Sequence, residues 1–228
     1  KVEPIELYQF FNNLNSIPIL YVNEIGFKKY YSKEEVIHKV NLVAKYLRSI
    51  GVRKGDRVVG IVTNNAETLI SFLAVNSIGA VWSSCSPDFG EQAILDRFSQ
   101  IEPKILFYSS NYMYGGKKFE ILEKIKNVKS KLNTLEVSIC IDYSQNNKSF
   151  IDEKLNFFEQ NNKELKELSF EKCQFNDPMY ILYSSGTTGK PKCIVHNTGG
   201  PLIQHLKEQQ LHCEIRENDK LFYFTTCG

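Results

Sequence analysis

The sequence predicts an α/β fold in which a mostly parallel sheet is flanked by helices. Three observations carry this. Short apolar runs of strand length alternate with helical stretches, the arrangement of βαβ units. The strand runs are apolar at successive positions, as strands buried on both faces require. The helices carry start and stop signals where their apolar period begins and ends.

The elements follow in order. Ser32 with Glu35 makes a capping box, Val36, Val40, Val43, Leu47 and Ile50 share one helical face, and Gly51 supplies the stop. Gly55-Asp56 turns into Arg57–Val62, a buried strand. Asn64-Asn65 breaks it, and Glu67–Ile78 reads as a helix ending at Gly79. Ala80–Ser84 is a strand, followed by a helix through Ile94, Leu95, Phe98 and Ile101 that Pro103 closes. Lys104–Tyr108 is a strand, Phe119–Leu132 a helix and Leu135–Ile141 a fourth strand. Residues 1–142 thus form a first α/β block. Residues 143–176 are a polar excursion rich in Asn and Gln, read as a surface stretch with a loose helix. A second α/β block begins at Asp177-Pro178, with a strand over Met179–Tyr183, and runs to residue 228.

Composition narrows the class. In 228 residues, 42% are hydrophobic and 24% charged, which excludes a disordered or collagen-like chain. Lys+Arg 28 against Asp+Glu 26 leaves a net charge of +2, so overall charge gives no support to a nucleic-acid binder. Only the helix with Lys124, Lys126, Lys129 and Lys131 hints at one, without an aromatic stacking platform. No apolar run of about 18 residues exists, so no membrane-spanning helix is predicted. Cys85, Cys140, Cys173, Cys193, Cys213 and Cys227 show no CxxC pair, and His38, His196, His205 and His212 form no ligand pair with them. Reduced thiols of a cytosolic protein, without zinc, are expected. The start at Lys1-Val2-Glu3-Pro4 and the stop inside the strand-like run Leu221–Gly228 read as cut ends, so a fragment is expected.

The chemistry concentrates in Tyr183-Ser184-Ser185-Gly186-Thr187-Thr188-Gly189-Lys190-Pro191-Lys192. A buried strand empties into a loop of glycines, hydroxyl side chains and lysines. Glycines let successive N–H groups converge on one anion, hydroxyls add donors and lysine adds a compact positive charge. A polyphosphate suits that composition. The loop is not a Walker A, because only Thr187 and Thr188 separate the two glycines and Pro191 follows Lys190.

This string resembles the signature of the adenylate-forming acyl-CoA synthetase superfamily, Ser/Thr-Ser-Gly-Thr-Thr-Gly-x-Pro-Lys, with Lys190 at the variable position. Gly55–Gly60 through Gly79-Ala80 resembles the upstream region of those enzymes. Gly79–Gly90, Asp96–Lys104, Ile194-Val195-His196 and Thr225–Gly228 are similar to the acetoacetyl-CoA synthetase branch. The resemblance implies part of a large N-terminal AMP-binding domain, without the C-terminal domain. It also implies an AMP-forming acid–thiol ligase that uses ATP with Mg2+, and coenzyme A, on acetoacetate. Carried over, Ser184, Ser185, Gly186, Thr187, Thr188, Gly189 and Lys192 bind the ATP phosphates, and Lys192, at the motif lysine, is the catalytic candidate. Adenine-binding residues, the magnesium-binding glutamate and the C-terminal catalytic lysine fall further along than Gly228.

Gly115, Gly116, Lys117 and Lys118 form a second candidate, falling near the turn that related enzymes use against the phosphates of coenzyme A. A plain solvated basic turn is the competing reading. Thr226, Cys227 and Gly228 fall where family members line the acyl pocket. His196 is read as a structural histidine with a nucleotide role open, and Trp82 as core packing with a pocket-wall role open. A synthetase for acetate or another short acid, and a non-catalytic nucleotide-binding relative, are the alternatives.

Overall fold

The structure is a computed structural model that describes residues 19–141, 153–154, 168–184, 189–216, 219, 221–222 and 225–226. A hairpin of β1 (Ile19–Val22) and β2 (Lys28–Tyr31) leads into α1 (Lys33–Ser49). The central units follow as β3 (Arg57–Ile61), α2 (Ala66–Ser77), β4 (Val81–Cys85), α3 (Glu91–Phe98) and β5 (Ile105–Tyr108). A second hairpin, β6 (Asn111–Tyr114) and β7 (Lys117–Glu120), precedes α4 (Leu122–Lys131) and β8 (Val137–Cys140). The remainder comprises β9 (Glu153–Lys154), β10 (Pro178–Ser184), β11 (Lys192–Asn197) and α5 (Gly199–Lys207), which continues into a π-helical turn at Glu208–His212.

Seven strands form one sheet in the order β11-β10-β4-β3-β5-β8-β9. Every pairing is parallel except the edge hairpin β10–β11. The predicted class holds, and the handedness of crossovers explains the layers. The step from β3 to β4 runs one way along the sheet and the steps β4 to β5 and β5 to β8 run the other. Right-handed connections must therefore put α2 on one face and α3 and α4 on the opposite face. Successive strand residues accordingly enter different cores. Val58, Trp82, Ile105, Phe107 and Ile139 pack with α1 and α2. Val59, Val81, Leu106, Tyr108 and Cys140 pack with α3 and α4. Fully burying one such side chain contributes roughly 1.5–3 kcal/mol.

Side-chain caps open the first two helices. Ser32 Oγ accepts from the Glu35 N–H at 3.1 Å, and Asn65 Oδ1 caps α2 by accepting from the Thr68 N–H at 2.8 Å. Trp82 is core: its ring meets Phe72 edge-on at 6.2 Å, and its Nε1 donates to Ser84 Oγ at 3.1 Å. Gly60 lies beneath it, where an added Cβ would stand 2.9 Å from Trp82 Cζ2.

Two expectations need correction. The helix expected over Phe119–Leu132 begins only at Leu122, because the chain first reverses through Gly115 and Gly116. Their φ values of 58° and 73° make a two-residue turn of the type that matches strand twist. Tyr112 then pairs with Phe119, the rings stacking at 5.0 Å, so Phe119 belongs to a strand. The strand-like run at the C-terminal end is not a strand at Leu221, Phe222, Thr225 or Thr226.

The polar stretch after Tyr143 is described only in part. Its last residues return to the body of the fold. Leu168 and Phe170 pack on the α1–α2 core, and the Arg48 guanidinium donates to the Ser169 carbonyl at 2.8 Å. Lys54 Nζ reaches both the Lys172 carbonyl, at 2.8 Å, and the Asp177 carboxylate, at 2.7 Å.

Candidate functional site

Strands β10, β4, β3 and β5 are parallel, so their carboxyl ends share one edge of the sheet, where open α/β sheets bind ligands. The connections leaving that edge are 62–65, 86–90, 109–110 and 185–191. The Gly-rich string is the last of these. Ser184 ends β10, half-buried, and pairs in register with the exposed Lys192 that starts β11. The hairpin thereby holds the two roots of the loop side by side. Ser185, Gly186, Thr187 and Thr188 lie outside the described residues, while Gly189 is exposed beside Lys190.

The groups behind the loop are fixed by named contacts. Tyr183 Oη and Ser83 Oγ share a hydrogen bond at 3.1 Å, and Ser83 Oγ donates to the Ile181 carbonyl at 2.8 Å. Burial pushes the Tyr183 phenol well above its ordinary value, so it stays neutral. The Arg97 guanidinium lies 4.8 Å from the Phe89 ring centroid and 5.7 Å from that of Tyr183. Gln100 Nε2 donates to the Pro191 carbonyl at 2.8 Å. Lys124 Nζ donates to the carbonyls of Pro87 and Phe89 at 2.8 and 2.9 Å, so this lysine of α4 braces the 86–90 connection.

The second candidate is the β6–β7 turn, next in line after β5. The N–H groups of Gly115 and Gly116 donate to the two carboxylate oxygens of Glu24 at 3.3 and 3.0 Å. The turn thus presents paired amides to an anion, the feature a phosphate needs. Lys117 and Lys118 are exposed, and Lys118 is ion-paired with Glu120.

The remaining candidates divide. Thr226 is exposed, and its neighbour Thr225 accepts from Asn64 Nδ2 in the connection after β3. Cys227 and Gly228 lie outside the described residues. His196 stacks on Tyr180 at 4.7 Å and lines a cleft of about 360 Å³ with Val195, Gly200, Gln204 and His205. Burial pushes the Cys85 thiol up to about 12, leaving it inert as a nucleophile. Among the described residues no group of three or more His, Cys, Asp or Glu side chains could hold a metal ion, and no magnesium ligand is assigned here. No helix among them is long and apolar enough to cross a membrane.

Sequence reasoning did not find Glu24, Asn64, Arg97 or Gln100. Each meets the site through a contact between residues far apart in the chain, and no spacing rule encodes such a contact.

The profile of the AMP-binding enzyme family matches residues 19–227. The chain belongs to that family. Within the AMP-binding enzymes it is similar to acetoacetyl-coenzyme A synthetase of Rhizobium meliloti (strain 1021), 41% identical over 86% of this chain and 30% of that protein. Acetoacetyl-CoA synthetase of Mus musculus is 44% identical over the same shares. The solved acetoacetyl-CoA synthetase from Streptomyces lividans superposes with a TM-score of 0.87 at 33% identity, covering 98% of this chain and 35% of that one. The chain therefore spans about 30% of the length of the curated relatives it matches. In this member of the AMP-binding enzyme family, β10 runs into the Gly-rich string at the carboxyl edge of the sheet.

Proposed function

We propose that the whole protein is an acid–thiol ligase converting acetoacetate, ATP and coenzyme A to acetoacetyl-CoA, AMP and diphosphate. One observation carries the reading. The signature string leaves a parallel strand at the carboxyl edge of a sheet whose relatives, over 86% of the chain, are named acetoacetyl-CoA synthetases. A carboxylate oxygen attacks the α-phosphorus of ATP, and the bond to the diphosphate oxygen breaks. The thiol of coenzyme A then attacks the acyl carbon, and AMP leaves with the bonding electron pair.

The chain's own share is electrostatic. Ser184, Ser185, Thr187 and Thr188 offer hydroxyl donors, Gly186 and Gly189 allow close backbone approach, and Lys192 neutralises charge building on the departing diphosphate. Gly115, Gly116, Lys117 and Lys118 are assigned to the phosphates of coenzyme A, and Thr226, Cys227 and Gly228 to the acyl pocket. ATP carries magnesium as its counter-ion, and a cytosolic location fits the reduced thiols.

Acid-dependent ATP–diphosphate exchange on the full-length protein tests this across acetoacetate, acetate, propionate, butyrate and a long-chain acid. Strong exchange with acetoacetate and poor exchange with acetate is the expected result. Preference for another acid would keep the adenylation chemistry and overturn the substrate. No exchange with any acid, from folded protein, would overturn both.

A further inference from the structure

We infer that Gln100 and Arg97 are positioning residues for the phosphate loop, acting together as a clamp on its two roots; this rests on the reading of residues 184–192 as that loop. The outgoing root is Pro191, whose carbonyl accepts from Gln100 Nε2 at 2.8 Å across 91 positions of chain. The same amide nitrogen also reaches the Asp96 carbonyl at 2.6 Å, so the Gln100 side chain is fixed to α3 while it holds the loop. The incoming root is Tyr183, whose ring faces the Arg97 guanidinium at 5.7 Å. Arg97 is itself set in place, because its Nη1 donates to the Ala93 carbonyl at 2.7 Å and its plane lies over Phe89 at 4.8 Å.

Arg97 lies in the last turn of α3 and Gln100 in the turn just past its end, tied back to Asp96 of the helix, so one end of one helix grips both roots. The physical need is clear. A loop rich in glycine loses more conformational entropy on ordering than any other, and every root fixed beforehand lowers what the nucleotide must supply. The contacts of both residues fall on the roots, Pro191 and Tyr183, so both act through the loop. Gln100 is exposed, so its replacement does not disturb a core.

The test uses the full-length protein and ATP–diphosphate exchange, with Gln100→Leu, Arg97→Lys and, as a control on the loop itself, Lys192→Ala. Losing one hydrogen bond to the loop root should raise the KM for ATP about three- to tenfold. The KM for the acid and the melting temperature should stay unchanged, and Arg97→Lys should act in the same direction. If Lys192→Ala impairs exchange while Gln100→Leu and Arg97→Lys leave the KM for ATP alone, the clamp is wrong and the phosphate loop stands. If Gln100→Leu changes both KM values equally or lowers the melting temperature, the residue is merely structural and the inference is overturned. If Lys192→Ala has no effect, the loop reading fails and the clamp fails with it.

Discussion

At the level of single residues, close approach decides more than chemistry. Gly60 is in the middle of β3, where glycine costs stability, and it is tolerated because Trp82 fills the space a side chain would take. Gly60→Ala must displace an indole that is 5% exposed and packed against Phe72 and Phe107. Overpacking of this kind costs about 1–3 kcal/mol, which chemical denaturation should register as a lower midpoint with an unchanged slope. Trp82 was legible as a core residue from its place in an apolar run. Its dependence on Gly60 was not, because the two meet across strands in register, Gly60 beside Ser84 and Val58 beside Trp82. The hydroxyls and lysines of the Gly-rich string stand out for the opposite reason: their order is contiguous in sequence. Gln100 reads as one more polar residue of a helix running to Ile101; the helix ends at Phe98, and the turn that follows sets Gln100 against Pro191.

Among the elements, the helices and buried strands were the readable part, since caps and periodicity are local. Ser32 and the apolar face of α1 act where the pattern put them, whereas Asn65, read as a strand breaker, also caps α2. The β6–β7 hairpin was not readable in this way, because Lys117–Glu120 is exposed along its whole length and shows no alternation. Its only marker is the Gly115-Gly116 pair. Both glycines have positive φ, a region that costs other residues roughly 1–2 kcal/mol. Gly116→Ala should therefore loosen this hairpin alone, speeding exchange of its amides about five- to thirtyfold while β3, β4 and β5 stay protected. Equal loss of protection across the central sheet would show that the hairpin is not an independent unit.

For the whole molecule, one sheet joins residues on both sides of the polar stretch, because β10 returns to pair with β4. Four apolar side chains at that edge of the fold, Leu182, Ile194, Val195 and Ile203, are between 41% and 59% exposed. The residues present supply groups suited to phosphates, and they make up about 30% of the length of the relatives matched. The 228-residue chain by itself is expected to form no acetoacetyl-CoA in a thioester assay in which the full-length protein is active. Thioester formed by the short chain alone would place the entire catalytic apparatus within it. The return of β10 has a further effect on how the protein is made. Ser83 and Ile181 are joined across 98 positions, so the strand that carries the loop is recruited by a long-range closure. Such closures form slowly compared with neighbouring βαβ steps. The β3–β8 layer can assemble on a ribosome before Ile181 has been synthesised, so the strand that leads into the Gly-rich string is added to a sheet that already exists.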